Sequence, residues 1–300
     1  MSASNISYEK LLKNLTEQEA YLEKTHRIKI SEDSWYWEAI TILKELIEVI
    51  KENKQFENTN DDPEFWNRVF TSLSLLLEMS GILEVVALLK DENLKIFLSK
   101  LQLTFKGPLL MNYENSDNNF GRNTMFELKL FSRLFKNNLP VKLHYDHPDV
   151  SFQVDVREYM IECKRIYKPE TLVKNTHRAL KQITDYSLKM PKPEGVYARY
   201  GIVAVSLSRY IHSGDKLFDA KSQEKAKERI NYEMKRIFDE HKEELLRPFP
   251  VSVPALLLEY SDRGSIDMPY TYNFIDVHET ANGRYSNFKY VIDDLAILDD

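Results

Sequence analysis

Along the early part of the chain, apolar residues return every three or four positions. Between Ser34 and Lys54, Ala39, Leu43, Leu46, Ile47 and Ile50 keep this spacing, which predicts an amphipathic helix buried on one side. Asp62-Pro63 suits a helix start, because proline's missing N–H costs nothing in a first turn. Helix is expected from there through Met79, and the pattern continues in Gly81 to Leu89 and Glu92 to Leu103. From Asn112 to Asn123 the sequence NYENSDNNFGRN is polar and rich in turn formers, the mark of a boundary. The expected organisation is an all-helical N-terminal domain, residues 1–112, followed by a mixed α/β domain, residues 113–300.

Past the boundary the pattern predicts helix, strand, hairpin, helix, strand. Asp149 to Val154 and Glu158 to Ile166 form the two arms of the hairpin, with the turn between Asp155 and Val156. Thr171 to Met190 carries Leu172, Thr176, Leu180, Ile183, Ser187 and Met190 on one stripe and Arg178, Gln182, Asp185 and Lys189 on another, an amphipathic helix. Tyr200 to Ser208 is nearly all apolar, as in a central strand covered on both faces. Ala220 to Leu246 reads as a long charged helix, and Pro254 to Tyr260 and Tyr270 to His278 as further strands. Asn282-Gly283 is a turn signal.

The hairpin is where chemistry enters. With its turn centred after Asp155, Asp149 falls opposite Glu162, and opposed side chains share a face with Cβ atoms roughly 5 Å apart. Period two puts Lys164 on that face and Cys163 and Arg165 on the other. Two carboxylates and an ammonium therefore converge beside a strand whose neighbours include Ile161, Ile166, Val154 and Phe152, an arrangement suited to a hard divalent cation. Asp155 lies in the turn and cannot reach Glu162. On the following helix, Gln182 and Tyr186 are surface neighbours at i and i+4.

Composition narrows the field. The chain has 300 residues, 43% hydrophobic and 12% aromatic, enough for sizeable cores. No apolar run spans a membrane, the N-terminus lacks the layout of a signal peptide, and a cytoplasmic protein is the simplest expectation. The single cysteine, Cys163, forms no internal disulfide or zinc-finger framework; a small buried hydrophobe is its expected role. No Walker or dinucleotide motif is present. The net charge of −6 opposes nucleic-acid binding, but Arg157, Lys164, Arg165, Lys168, Lys174, Arg178, Lys181, Lys189 and Lys192 outnumber the acids around them and form a basic strip. The segment HYDHPD, His144 to Asp149, lacks zinc-hydrolase spacing and reads as a surface loop, with His147 near the proposed metal.

Pro148-Asp149 followed by Glu162-Cys163-Lys164 resembles the PD-(D/E)XK nuclease superfamily, with its restriction-endonuclease-like fold. GRNTMFELKLFSRLFKNN, Gly121 to Asn138, is similar to that family's first core helix, with Glu127 where many members carry an accessory carboxylate. Gln182-Ile183-Thr184-Asp185-Tyr186 is similar to the Gln-x-x-x-Tyr signature of its recombination-repair exonuclease branch. By motif the resemblance covers about residues 116 to 210.

The resemblance implies a mixed sheet flanked by helices and metal-dependent hydrolysis of phosphodiester bonds. Asp149, Glu162 and the Cys163 carbonyl would hold Mg²⁺ or Mn²⁺, and Glu127 would complete the site through a water or a second ion. Lys164 would act on the attacking water or the transition state and Gln182 would position. Arg165, Arg178 and Tyr186 are the expected substrate contacts. Nucleic acid is the implied partner, DNA ahead of RNA, in a defence or repair setting, with a partner subunit or a second copy as further options. Two alternatives stay open: an RNase using the same site, and a catalytically residual binding or regulatory module.

Overall fold

A computed structural model describes residues 7–51, 63–110, 113–115, 118–166, 168–189, 191–208, 223–247, 255–261 and 271–277. The N-terminal part is helical: α1 (Tyr8–His26), α2 (Trp35–Lys51), α3 (Pro63–Leu83), a short 3₁₀ turn (Val86–Leu88) and α4 (Asp91–Thr104). Then come α5 (Phe120–Lys136), β1 (Val141–Leu143), β2 (Val150–Val154), β3 (Arg157–Arg165), α6 (Leu172–Lys189), β4 (Ala198–Ser206), α7 (Gln223–Leu246), β5 (Ala255–Ser261) and β6 (Thr271–Val277). The expected helix over Gly81 to Leu89 ends at Leu83 and tightens into the 3₁₀ turn. The Asn282-Gly283 turn and residues 220–222 of the expected long helix lie outside the described residues.

The strands form one mixed sheet in the order β1-β2-β3-β4-β5-β6. β1, β2 and β3 run antiparallel, β4 and β5 continue parallel to β3, and β6 returns antiparallel. The exposed edge at β1 is closed by one side chain of α4. Asn93 donates its amide to the Val141 carbonyl at 2.9 Å and accepts from the Leu143 N–H at 3.0 Å, satisfying strand groups that would otherwise invite another chain.

Alternation along β3 and β4 divides the core into two layers. Tyr159, Ile161, Cys163, Ile202 and Ala204 face the N-terminal helices. Met160, Val203 and Val205 face α6 and α7, against Ala179, Ile183, Met234 and Phe238. The first layer crosses the expected boundary near residue 112. Leu43 and Leu76 share one continuous core with Phe131, Phe152 and Ile202, so the N-terminal helices pack as a wall against the sheet. Amphipathic periodicity predicted which side of each helix was buried, but carried no information about what buried it. Asn67–Leu88 is long and apolar enough to cross a membrane, yet 72% of its apolar window is buried in this core.

The join between the helical wall and α5 is tight. A Cβ on Gly121 would lie 2.2 Å from the Lys106 carbonyl oxygen and 2.8 Å from that of Leu103. Gly121→Ala must push α5 off the end of α4, and should cost about 1–3 kcal/mol, as overpacking does. Urea unfolding checks this; an unchanged midpoint would show that the contact yields freely.

A buried ion-pair network fastens the same region to β3. Arg165 Nη1 lies 2.6 Å from Glu114 Oε2, with the two side chains 7% and 0% exposed. Arg122 Nε approaches the other Glu114 oxygen at 3.5 Å, and Arg122 donates to the Leu109 carbonyl at 2.7 Å. Such pairs contribute modestly to stability when intact but are costly to break from one side.

Candidate metal centre

The hairpin register is Val150↔Ile161 through Val154↔Arg157, so one further step opposes Asp149 to Glu162. Asp155 takes the turn, with φ 50°, a left-handed conformation that aspartate tolerates. Asp149 and Glu162 are both buried, at 8% and 0% exposure. With His147 they offer ligand atoms that all lie within 4.8 Å of one another, the convergence expected of Asp149 and Glu162.

Each ligand is fixed by identifiable partners. Asp149 Oδ2 accepts from the Cys163 N–H at 2.7 Å. An extended residue sends its carbonyl out on the same side as its N–H, so the Cys163 carbonyl is directed toward the Asp149 edge. The same register would oppose Cys163 to Pro148, and proline has no N–H to occupy that carbonyl. Lys164 Nζ stands 2.6 Å from Glu162 Oε1. His147 Nδ1 lies 2.9 Å from Glu162 Oε1 and 3.0 Å from Oε2, and its Nε2 meets Gln182 Nε2 at 2.5 Å. A carboxylate only accepts, so Nδ1 carries the hydrogen and Nε2 accepts from the Gln182 amide. Burial holds the His147 pKa below its ordinary value, in keeping with this neutral tautomer. Gln182 Oε1 is buried with no hydrogen-bond partner among the described residues.

Glu127, on α5 in the helix layer on the opposite face, stands outside the His147–Asp149–Glu162 group, and its charge couples with Asp149 and Glu162. Its Oε2 lies 2.5 Å from Lys100 Nζ, and the field of Asp149 acts on it strongly enough to matter for protonation. Burial, then Asp149, pushes the Glu127 pKa up to about 7, against the opposing pull of Lys100. Burial, then Asp149, does the same to Glu162, up to about 7, against Lys164. Burial also raises Asp149, while the Cys163 N–H bond acts to lower it. Three carboxylates thus confront the ammonium groups of Lys100 and Lys164, leaving negative charge for a further cation to balance.

This sets the pH dependence. Protons occupy raised carboxylates from about pH 7 downward, and a protonated carboxyl is a poor ligand. Mn²⁺ affinity should therefore be about tenfold weaker at pH 6 than at pH 8 for each proton displaced. Calorimetric titration at the two pH values checks this; equal affinities would contradict it. Without metal the linkage runs the other way for folding. The folded chain keeps protons that the unfolded chain has lost above its ordinary 4.5, so this contribution to stability is full below 4.5 and lost as pH rises through about 7.

The remaining expected residues divide. Arg178 is exposed on α6, and its charge reaches His147. Tyr186 lines a cleft of about 780 Å³ together with His147, Tyr145, Lys142, Asn93 and Lys90. Arg165 does not join the group: it is enclosed and paired to Glu114 on the other face of β3. The Cys163 thiol is buried, and burial pushes its pKa well above the ordinary value, which suits a neutral packing role. Of the basic strip, Lys168, Lys174, Arg178, Lys181, Lys189 and Lys192 are exposed.

Two residues of the cluster were not among the expected ligands or catalytic groups. His147 was placed only near the metal, because loop residues follow no period. Lys100 stood in a helix read solely for its apolar spacing, although a lysine on the stripe of Ile96, Phe97, Leu101 and Thr104 was itself a signal that something paired it. A scan of the chain against family models finds no match, and a search among curated proteins finds none either.

Proposed function

We propose that this chain is a metal-dependent nuclease of the restriction-endonuclease-like class, hydrolysing phosphodiester bonds, with DNA as its first expected substrate. The observation that carries the reading is the meeting of Asp149, Glu162 and His147 within 4.8 Å, with Lys164 bonded to Glu162 at 2.6 Å. The order α5, β1, hairpin, α6, β4 supports it, since it matches the order in which the resembling motifs occur.

The donor set fits a hard divalent ion: Asp149, Glu162 and the Cys163 carbonyl supply oxygens, and the buried carboxylate charge asks for a cation. Mg²⁺ and Mn²⁺ both suit these oxygens. Such an ion, when bound, acidifies a coordinated water and neutralises phosphate charge. The chain does the rest. The Gln182–His147 pair holds Glu162 in one orientation, which limits the reorganisation needed on binding. Lys164, on the same face as Glu162, supplies a positive charge where a phosphoryl oxygen would gain negative charge. Arg178, Lys174 and Lys181 on the exposed side of α6 offer phosphate contacts that overcome the acidic net charge locally, and Tyr186 lines the adjoining cleft.

The test is incubation of the purified chain with linear DNA, closed circular DNA and RNA, each with Mg²⁺, Mn²⁺ or chelator. Cleavage that needs the metal supports the reading, and the substrate profile separates DNA from RNA and ends from internal sites. Inertness on all substrates with both ions would sink it and favour a binding module.

A further inference from the structure

Lys100 occupies an unusual place. It lies on α4, in the N-terminal helical wall, and is only 9% exposed. Its neighbours on the helix, Ile96, Phe97, Leu101 and Thr104, are buried in the core. Two turns earlier on the same helix, Asn93 bonds both Val141 and Leu143 of β1, so α4 is fixed against the sheet and Lys100 has a defined position. From there its ammonium meets Glu127 at 2.5 Å, the two side chains 11% and 15% exposed.

We propose that Lys100 is the built-in cation of this site: its ammonium stands against Glu127 in place of a second divalent ion, so the site loads one metal ion. The inference rests on the nuclease reading only in requiring that Asp149 and Glu162 bind a divalent ion. The charge balance favours it. Three carboxylates and two lysines leave one negative charge; one divalent ion turns that into one positive charge, and a second would raise it to three in an enclosed space. Ions in two-metal sites lie roughly 3.5–4 Å apart, and one at Glu127 would have to displace an ammonium that the surrounding core keeps from water. Lys100 is accordingly a positioning residue, acting through Glu127 on the electrostatics of the site. It also gives the helical wall a part in function.

The experiment counts Mn²⁺ bound to the full chain, by the paramagnetic resonance of free Mn²⁺ and by calorimetry, at pH 8. Wild type should bind one ion, and Lys100→Arg, which keeps the charge, should also bind one. Lys100→Met should bind two, and adding Glu127→Gln to it should return the count to one. Glu127→Gln alone should also bind one ion, because Lys100 already stands where a second would sit, and with weaker affinity, because it removes one of the three negative charges. Two ions on wild type, or one ion on Lys100→Met, would each overturn the proposal while leaving the nuclease reading standing. If Lys100→Met does not fold, the wild-type count still decides. Wild type binding no ion would overturn the metal reading and this one with it.

Discussion

Glu162→Gln should abolish metal-dependent cleavage, lowering the single-turnover rate about a thousandfold or more, equivalent to about 4 kcal/mol of transition-state stabilisation. Glu162 is wholly buried, faces Asp149 across the hairpin, and holds both Lys164 and His147. The amide keeps the shape but loses the charge that a hard cation requires, so Mn²⁺ affinity should fall with the rate. Stability should move in the opposite direction. The Glu162 carboxyl is pushed up to about 7 because burial and the charge of Asp149 disfavour its ionised form. Above pH 7 the metal-free variant should melt at a temperature equal to or above wild type, and the difference should shrink as pH falls below about 7 and vanish below about 4.5, where the carboxyl is protonated in the folded and unfolded chains alike. A variant that loses activity by unfolding would show the reverse.

Lys164→Ala should slow cleavage by about a hundredfold or more, the order lost with one preorganised electrostatic group, about 3 kcal/mol. Its side chain is 20% exposed, so truncation also removes packed methylenes, and a modest fall in melting temperature should accompany the loss of rate. The effect on metal binding separates it from Glu162→Gln. Removing a cation from beside two carboxylates should leave Mn²⁺ affinity equal or higher. Calorimetry on both variants reads this directly: weaker binding in Glu162→Gln, undiminished binding in Lys164→Ala. Weaker binding in both would mean that Lys164 supports the fold of the site rather than its chemistry.

The parts of the site that a repeating pattern governs were legible from the residues. Period two and the turn at Asp155 sufficed to pair Asp149 with Glu162, because a hairpin's register follows from its turn. The same alternation placed Arg165 on the far face from Lys164, although a count of positive charge drew it into the basic strip; its buried partner Glu114 lies in the polar boundary segment, where no pattern announces a contact. Helical spacing placed Gln182 on α6, but not its bond to His147, which depends on the path of a loop. Lys100 meets Glu127 only because the helical wall and the sheet share a core. Local periodicity describes the faces of α4 and α5, and says nothing of which distant faces meet.

The most direct test of the central claim is whether Glu162 and Lys164 work as one unit. Single-turnover cleavage of labelled DNA at saturating Mg²⁺ should be measured for wild type, Glu162→Gln, Lys164→Ala and the double variant. Groups that stabilise one transition state together lose most of their effect with the first removal, so the double variant should cleave no more than a few-fold more slowly than Glu162→Gln alone. Cleavage at the wild-type rate in every variant, or losses that simply multiply, would contradict a single hydrolytic site built on this hairpin.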